Sequence, residues 1–187
     1  MRLRRQAVLA TGLVAAAFMV PTAHSRADRT PQQVLKALVA AKVGASALPH
    51  GYRSPRVTPY AVTATAKKHH AVGGAEILAD GGNEGIIYIV FKTVADAKAD
   101  FARANLAGKS TSAAPKTIPK PSIVVNTSAS GTVKGKPVTV GITDIAFVER
   151  NVIVQAATTS SASTKHGDVA GAVALAQFAA KHLRSVA

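Results

Sequence analysis

Six consecutive residues, Ile86, Ile87, Tyr88, Ile89, Val90 and Phe91, run without polar interruption. Side chains of a strand alternate between its two faces, so such a run needs cover on both. Its β-branched and aromatic residues favour strand over helix. A chain built around it must place it inside a sheet, with Ile87, Ile89 and Phe91 on one face and Ile86, Tyr88 and Val90 on the other.

The flanking segments supply sheet partners and helices. Asp80 to Asn83 is a turn, and His70 to Ala79 before it is a strand with a bulge at Gly73 and Gly74. Val62 to Ala66 is a weaker strand candidate, and Pro49 to Pro59 reads as an ordered loop or linker. After the apolar run, Thr93 caps a helix with Asp96 in its first turn and Val94, Ala97 and Phe101 along one side, ended by Gly108. Lys109 to Pro121, rich in Ser, Thr, Lys and Pro, reads as a flexible connection (109–121).

Ile123 to Ser128 and Val138 to Ile142 are strands around a Gly131–Lys136 turn. Ile145 to Glu149 and Val152 to Thr158 form a hairpin about Arg150 and Asn151. After a Ser160–Lys165 loop, Asp168 caps a last helix running to about Ser185, with Ala172, Leu175, Ala176, Ala179, Leu183 and Val186 on one stripe. Near the start, Thr30 and Pro31 open a helix over 31–43, and Gly44 stops it.

These elements make an α+β domain: an antiparallel sheet with helices packed on one face, plus the N-terminal helix. Asn83 to Leu106 and Asn151 to Leu183 both read as turn, apolar strand and capped alanine-rich helix. One reading is a duplicated hairpin–helix (ferredoxin-like) unit; the other is chance similarity between short motifs.

Arg2, Arg4 and Arg5 precede an apolar stretch from Ala7 to Val20, followed by Pro21 and the small residues Ala23, Ser25 and Ala27. This is the layout of a signal peptide over 1–27, too short in its apolar part for the roughly 20 residues of a membrane span. The expectation is a single domain over 28–187, secreted or held in the cell envelope, with no transmembrane segment after signal removal. The whole chain carries 23 Lys and Arg against nine Asp and Glu; residues 28–187 keep 19 against nine, a net +10. There is no cysteine, which excludes disulfides, thiol nucleophiles and Cys-ligated metals.

Leu48 to Tyr52, Lys68 to Gly73, the Ile86–Phe91 strand running into Ala95, Asp96 and Ala97, and Phe147 to Val154 together resemble small secreted bacterial proteins of uncharacterised function. The resemblance implies export and a compact α+β domain, and lends no catalytic residue.

Chemistry-bearing residues are sparse. Lys109 and Ser110 after Gly108 mimic the end of a phosphate-binding loop, but Arg103 stands where that loop needs glycine, so Gly108 reads as a helix cap. His166 and Asp168 could be a base and its orienting acid, or a polar loop in which Asp168 caps the last helix; the cap is the simpler reading. His50, His69, His70, His166 and His182 show no ligand spacing, and on a strand His69 and His70 would point to opposite faces. His182 falls where it can interact with the dipole of its helix end. Asp80, Glu84, Asp96 and Asp100 fit turns and helix starts, and the few aromatics suit a core better than a sugar platform. Asn126, Thr127 and Ser128 match a glycosylation sequon, which in a bacterial protein is accidental.

Lys67, Lys68, His69 and His70, with Arg53 and Arg56 upstream, form the densest local charge. They are the candidate anion-binding residues, for an anionic envelope polymer or a small anionic ligand; a solvated strand edge guarded by lysines is the plainer alternative. Nucleic acid is not expected, because no basic helix carries interleaved aromatics. No catalytic, metal or cofactor site is assigned. The sequence reads as a non-enzymatic exported binding domain, with a small enzyme or cofactor binder holding its site in a sheet–helix cleft, or a purely structural envelope protein, as the alternatives.

Overall fold

The computed structural model describes residues 29–48, 55–79, 84–104, 110–133, 136–160 and 167–187. The proposed signal segment and the expected turn at Asp80–Asn83 lie outside them.

The protein is α+β, with one seven-stranded antiparallel sheet. Its strands are β1 (Arg56–Tyr60), β2 (Ala71–Ala79), β3 (Glu84–Phe91), β4 (Ser110–Ala113), β5 (Ser122–Val133), β6 (Lys136–Glu149) and β7 (Val152–Ser160), ordered β1-β2-β3-β7-β6-β5-β4. Helices are α1 (Pro31–Ala40), α2 (Ala64–Lys68), α3 (Val94–Ala102) and α4 (Val169–Val186). The apolar run is β3, third from one edge, and it lies between β2 and β7 as its composition demands.

The two faces differ in cover. On the first, α1 and α4 lay Val34, Leu38, Leu175, Ala176, Ala179 and Leu183 over Ile77, Ile86, Tyr88, Val90, Ile145, Phe147 and Val154, all buried. The alanines of α4 (Ala172, Ala176, Ala179 and Ala180 are all buried) allow this helix to approach the sheet closely. On the second face α3 places Ala97 and Phe101 over Phe91, Val148 and Ile153. The expected arrangement with every helix on one face is therefore corrected.

The same observation argues against the duplicated unit. β3 and β7 are antiparallel neighbours leading into α3 and α4. A twofold axis exchanging such neighbours stands perpendicular to the sheet and would leave both helices on the same face. They lie on opposite faces.

Local chemistry explains most element boundaries. Thr30 and Gln33 form a reciprocal capping box at α1, which ends at Ala40, short of Val43. Thr63 Oγ1 accepts from Ala66 N–H at 3.1 Å and starts α2 where the sequence suggests a strand. Arg56 to Tyr60, expected in a loop, pairs with β2; its Pro59 is tolerated because β1 is an edge strand. Gly73, at φ 157°, marks the bulge between Ala71 and Gly73. The supposed flexible connection is largely ordered: β4 pairs with β5, Ala114 and Ile118 are buried, and Lys120 Nζ donates to Ala114 O at 3.2 Å. β6 is one 14-residue strand where two were expected. Arg150, at φ 57°, makes the β6–β7 turn, and Asn151 ties it to the end of β3 by donating from Nδ2 to Phe91 O at 2.7 Å.

Candidate functional site

The four predicted anion-binding residues separate into two pairs. Lys67 and Lys68 are exposed in the last turn of α2, where cations suit the helix end. His69 is the C-cap, and His70 adopts a left-handed backbone at φ 68°. Because this is a helix end and not a strand, both rings turn the same way, toward α3. His69 Nδ1 pairs with the Asp100 carboxylate, and His70 Nδ1 lies 2.9 Å from Asp96 Oδ1. Asp96 and Asp100 stand one turn apart, so they share a face of α3. Hydrogen bonds from His70 and Thr93 hold the Asp96 carboxyl below the ordinary carboxylate range. The structure thus corrects the strand placement of the histidines and gives each a carboxylate partner. The double clasp fastens α3 to the corner between α2 and β2.

Among the described residues α3 covers one end of the second face, and beside it the sheet is hollow. A cavity of about 400 Å³ opens between the C-terminal end of α3, α2 and strands β3, β5, β6 and β7. Its walls are Ile89, Phe101, Ile123, Val125, Ala146 and Ile153. Thr65, His69, Asp100 and Arg103 lie around it, and Asp144 and Gln155 are polar groups in the sheet floor. Register explains the floor. Ile87, Gln155, Ala146 and Ile123 sit side by side across four strands, and the next outward-facing row is Gly85, Ala157, Asp144 and Val125. A second hollow of about 150 Å³ shares Asp144 and Gln155 and extends to Leu78, Glu84 and Ile87. The two form one trough across the open half of the sheet.

The sequence alone assigns no role to Asp144 or Gln155. Their signal is nonetheless present: each is a lone non-hydroxyl polar residue within an otherwise apolar or threonine-containing strand core, Ile142 to Val148 and Val152 to Ala157.

The remaining candidates take structural positions. Asp168 Oδ1 accepts from Gly171 N–H at 3.0 Å as the cap of α4, and its carbonyl accepts from Thr158 Oγ1 at 2.6 Å. His182 does not serve the helix end. It is half-buried, stacked on Phe178 with ring centroids 5.7 Å apart, with Nδ1 3.0 Å from the Tyr88 hydroxyl. Burial lowers the pKa of His182 and raises that of Tyr88, so the phenol donates to a neutral imidazole. Asn126 Oδ1 accepts from Thr143 Oγ1 at 2.8 Å on the helix-covered face. His50, Arg53, Asp80, Gly108, Lys109 and His166 lie outside the described residues, among which no group of three or more His, Asp or Glu is placed to hold a metal ion.

No family model, no curated protein and no solved structure matches the chain.

Proposed function

We propose that this protein is an exported, non-enzymatic binding domain that takes a small ligand into the trough beside α3. The trough itself carries the reading: a concave, mainly aliphatic site with a few convergent polar groups is the common form of a small-molecule pocket. Export and an envelope location rest on the charged and apolar pattern of residues 1–27 and on the resemblance to small secreted bacterial proteins. Among the described residues no helix is long and apolar enough to cross a membrane. The excess of basic residues supports contact with anionic envelope polymers through the outer surface, with Lys67 and Lys68 as part of that surface.

A small enzyme is the second reading, favoured by one observation. His69 lines the cavity with Asp100 behind it, the arrangement of a general base and an orienting carboxylate. Thr65 is the only hydroxyl residue lining the cavity among the described residues, and the site has no thiol, so binding is the better supported of the two.

Ala146→Phe tests the reading by filling the trough from its floor. Nile red, which is neutral and not recruited by basic charge, should fluoresce on binding the wild-type protein and lose most of that signal with the variant at unchanged Tm. Equal fluorescence from both proteins would place the apolar site elsewhere.

A further inference from the structure

We infer that the trough takes a neutral hydroxyl-bearing ligand, an aliphatic alcohol or a phenol, whose hydroxyl pairs with Nε2 of His69. This rests on the trough being the binding site and names the class of its ligand. The observation is an imidazole ring held at one nitrogen and open at the other. His69 lines the cavity and is partly buried, and its Nδ1–H donates to the Asp100 carboxylate. That bond assigns a ring proton to Nδ1 and leaves Nε2 over, for which no partner is found among the described residues. The backbone beneath the ring is fixed as well: His69 N–H donates to Thr65 O at 3.2 Å and to Ala66 O at 3.1 Å as the cap of α2. A ring held by both its carboxylate and its backbone loses little freedom when a ligand binds.

The chemistry of Nε2 selects the head. A hydroxyl both donates and accepts, so it pairs with the bare nitrogen of a neutral ring and with the N–H of a charged one. An ether oxygen only accepts and an ammonium only donates, so each is served in one ring state alone. The other polar groups of the cavity agree. Gln155, between Ile87 and Ala146 in register, brings a carboxamide that also donates and accepts, as does the Thr65 hydroxyl. Asp100 and Asp144 line the cavity too, but both already have partners. Arg103 is exposed, and an anionic head would go to its guanidinium instead. Ile89, Phe101, Ile123, Val125 and Ile153 surround the apolar body, so a ligand with one hydroxyl and a hydrocarbon remainder suits both parts of the site.

The test titrates full-length protein with n-octanol, its isomer heptyl methyl ether, and n-octanoate at 0.15 M salt. Binding is followed by NMR at the methyl groups of Ile89, Ile123 and Val125 and at the ring nitrogens of His69. Octanol should bind about fivefold more tightly than the ether, the margin of one neutral hydrogen bond, and should shift Nε2 of His69. His69→Asn keeps a donor for Asp100 and removes Nε2; octanol should then fall to the level of the ether, whose own binding stays unchanged. Should this variant fail to fold, the Nε2 shift of the wild-type protein decides. Equal binding of octanol and ether, a preference for octanoate, or methyl shifts without change at Nε2 overturns the hydroxyl inference and leaves the trough as the site. Absence of methyl shifts with every probe overturns both.

Discussion

The Tyr88 hydroxyl donates to Nδ1 of His182 across 3.0 Å, joining the middle of β3 to the last turns of α4. Both groups are withdrawn from water, and each is the other's partner. Replacing Tyr88 by Phe leaves the imidazole nitrogen without its donor and should cost about 1 kcal/mol in urea melts.

The same pair makes stability depend on pH. Burial lowers the folded pKa of His182 below its ordinary 6.5. Between the two values the unfolded chain binds a proton that the folded chain does not, so stability falls as pH drops below 6.5 and stops falling once the folded imidazole is also protonated. His182→Gln keeps an acceptor for Tyr88 without titrating. Urea melts at pH 7.5 and 5.5 should show a smaller acid loss for this variant than for the wild type; an equal loss would mean that His182 is not the group involved.

The two faces of β3 should respond unequally to truncation. Ile86 is fully buried under the helices, and Ile86→Ala should cost about 2–5 kcal/mol. Ile89 faces the trough and is only partly buried, so Ile89→Ala should cost clearly less. Equal costs would mean that the trough closes in solution.

Gly85 is required by close backbone packing. A Cβ there would sit closer than 3.0 Å to the carbonyl oxygen of Ile77, inside the β2–β3 pair, whereas a Cβ at Gly131 meets nothing within 4 Å. Gly85→Ala should destabilise by roughly 1–3 kcal/mol, with Gly131→Ala near neutral in the same thermal melts.

Lys67 and Lys68 should behave as surface charge. Both are exposed and lie outside the cavity lining, and the histidines beside them are held by Asp96 and Asp100. Reversing both to Glu should lower retention on an anionic resin by the same amount as reversing Lys36 and Lys116, which are also exposed. Lys120 is unsuited as a control because its Nζ donates to a backbone carbonyl. A markedly larger loss at Lys67 and Lys68 would restore them as an anion site.

What could be read from the sequence is what neighbours along the chain settle. The alternation of β3, the caps at Thr30, Thr93 and Asp168, the bulge at Gly73 and the turn at Arg150 and Asn151 each depend on a few adjacent residues, and each is found. Tertiary structure decided what depends on distant partners. Arg56 to Tyr60 and Ser110 to Ala113 carry weak strand patterns and are strands because β2 and β5 offer open edges. Which face a helix covers is not written in its stripe: α3 and α4 both follow strands of the same type, yet they pack on opposite sides. Among the described residues, that choice leaves the sheet beside α3 uncovered and makes the trough. It also brings His69, Asp100, Asp144 and Gln155, spread over 87 positions of sequence, around one cavity. Their common address exists only because antiparallel register aligns β5, β6, β7 and β3 in space, and register is set by pairing between strands rather than by any one of them.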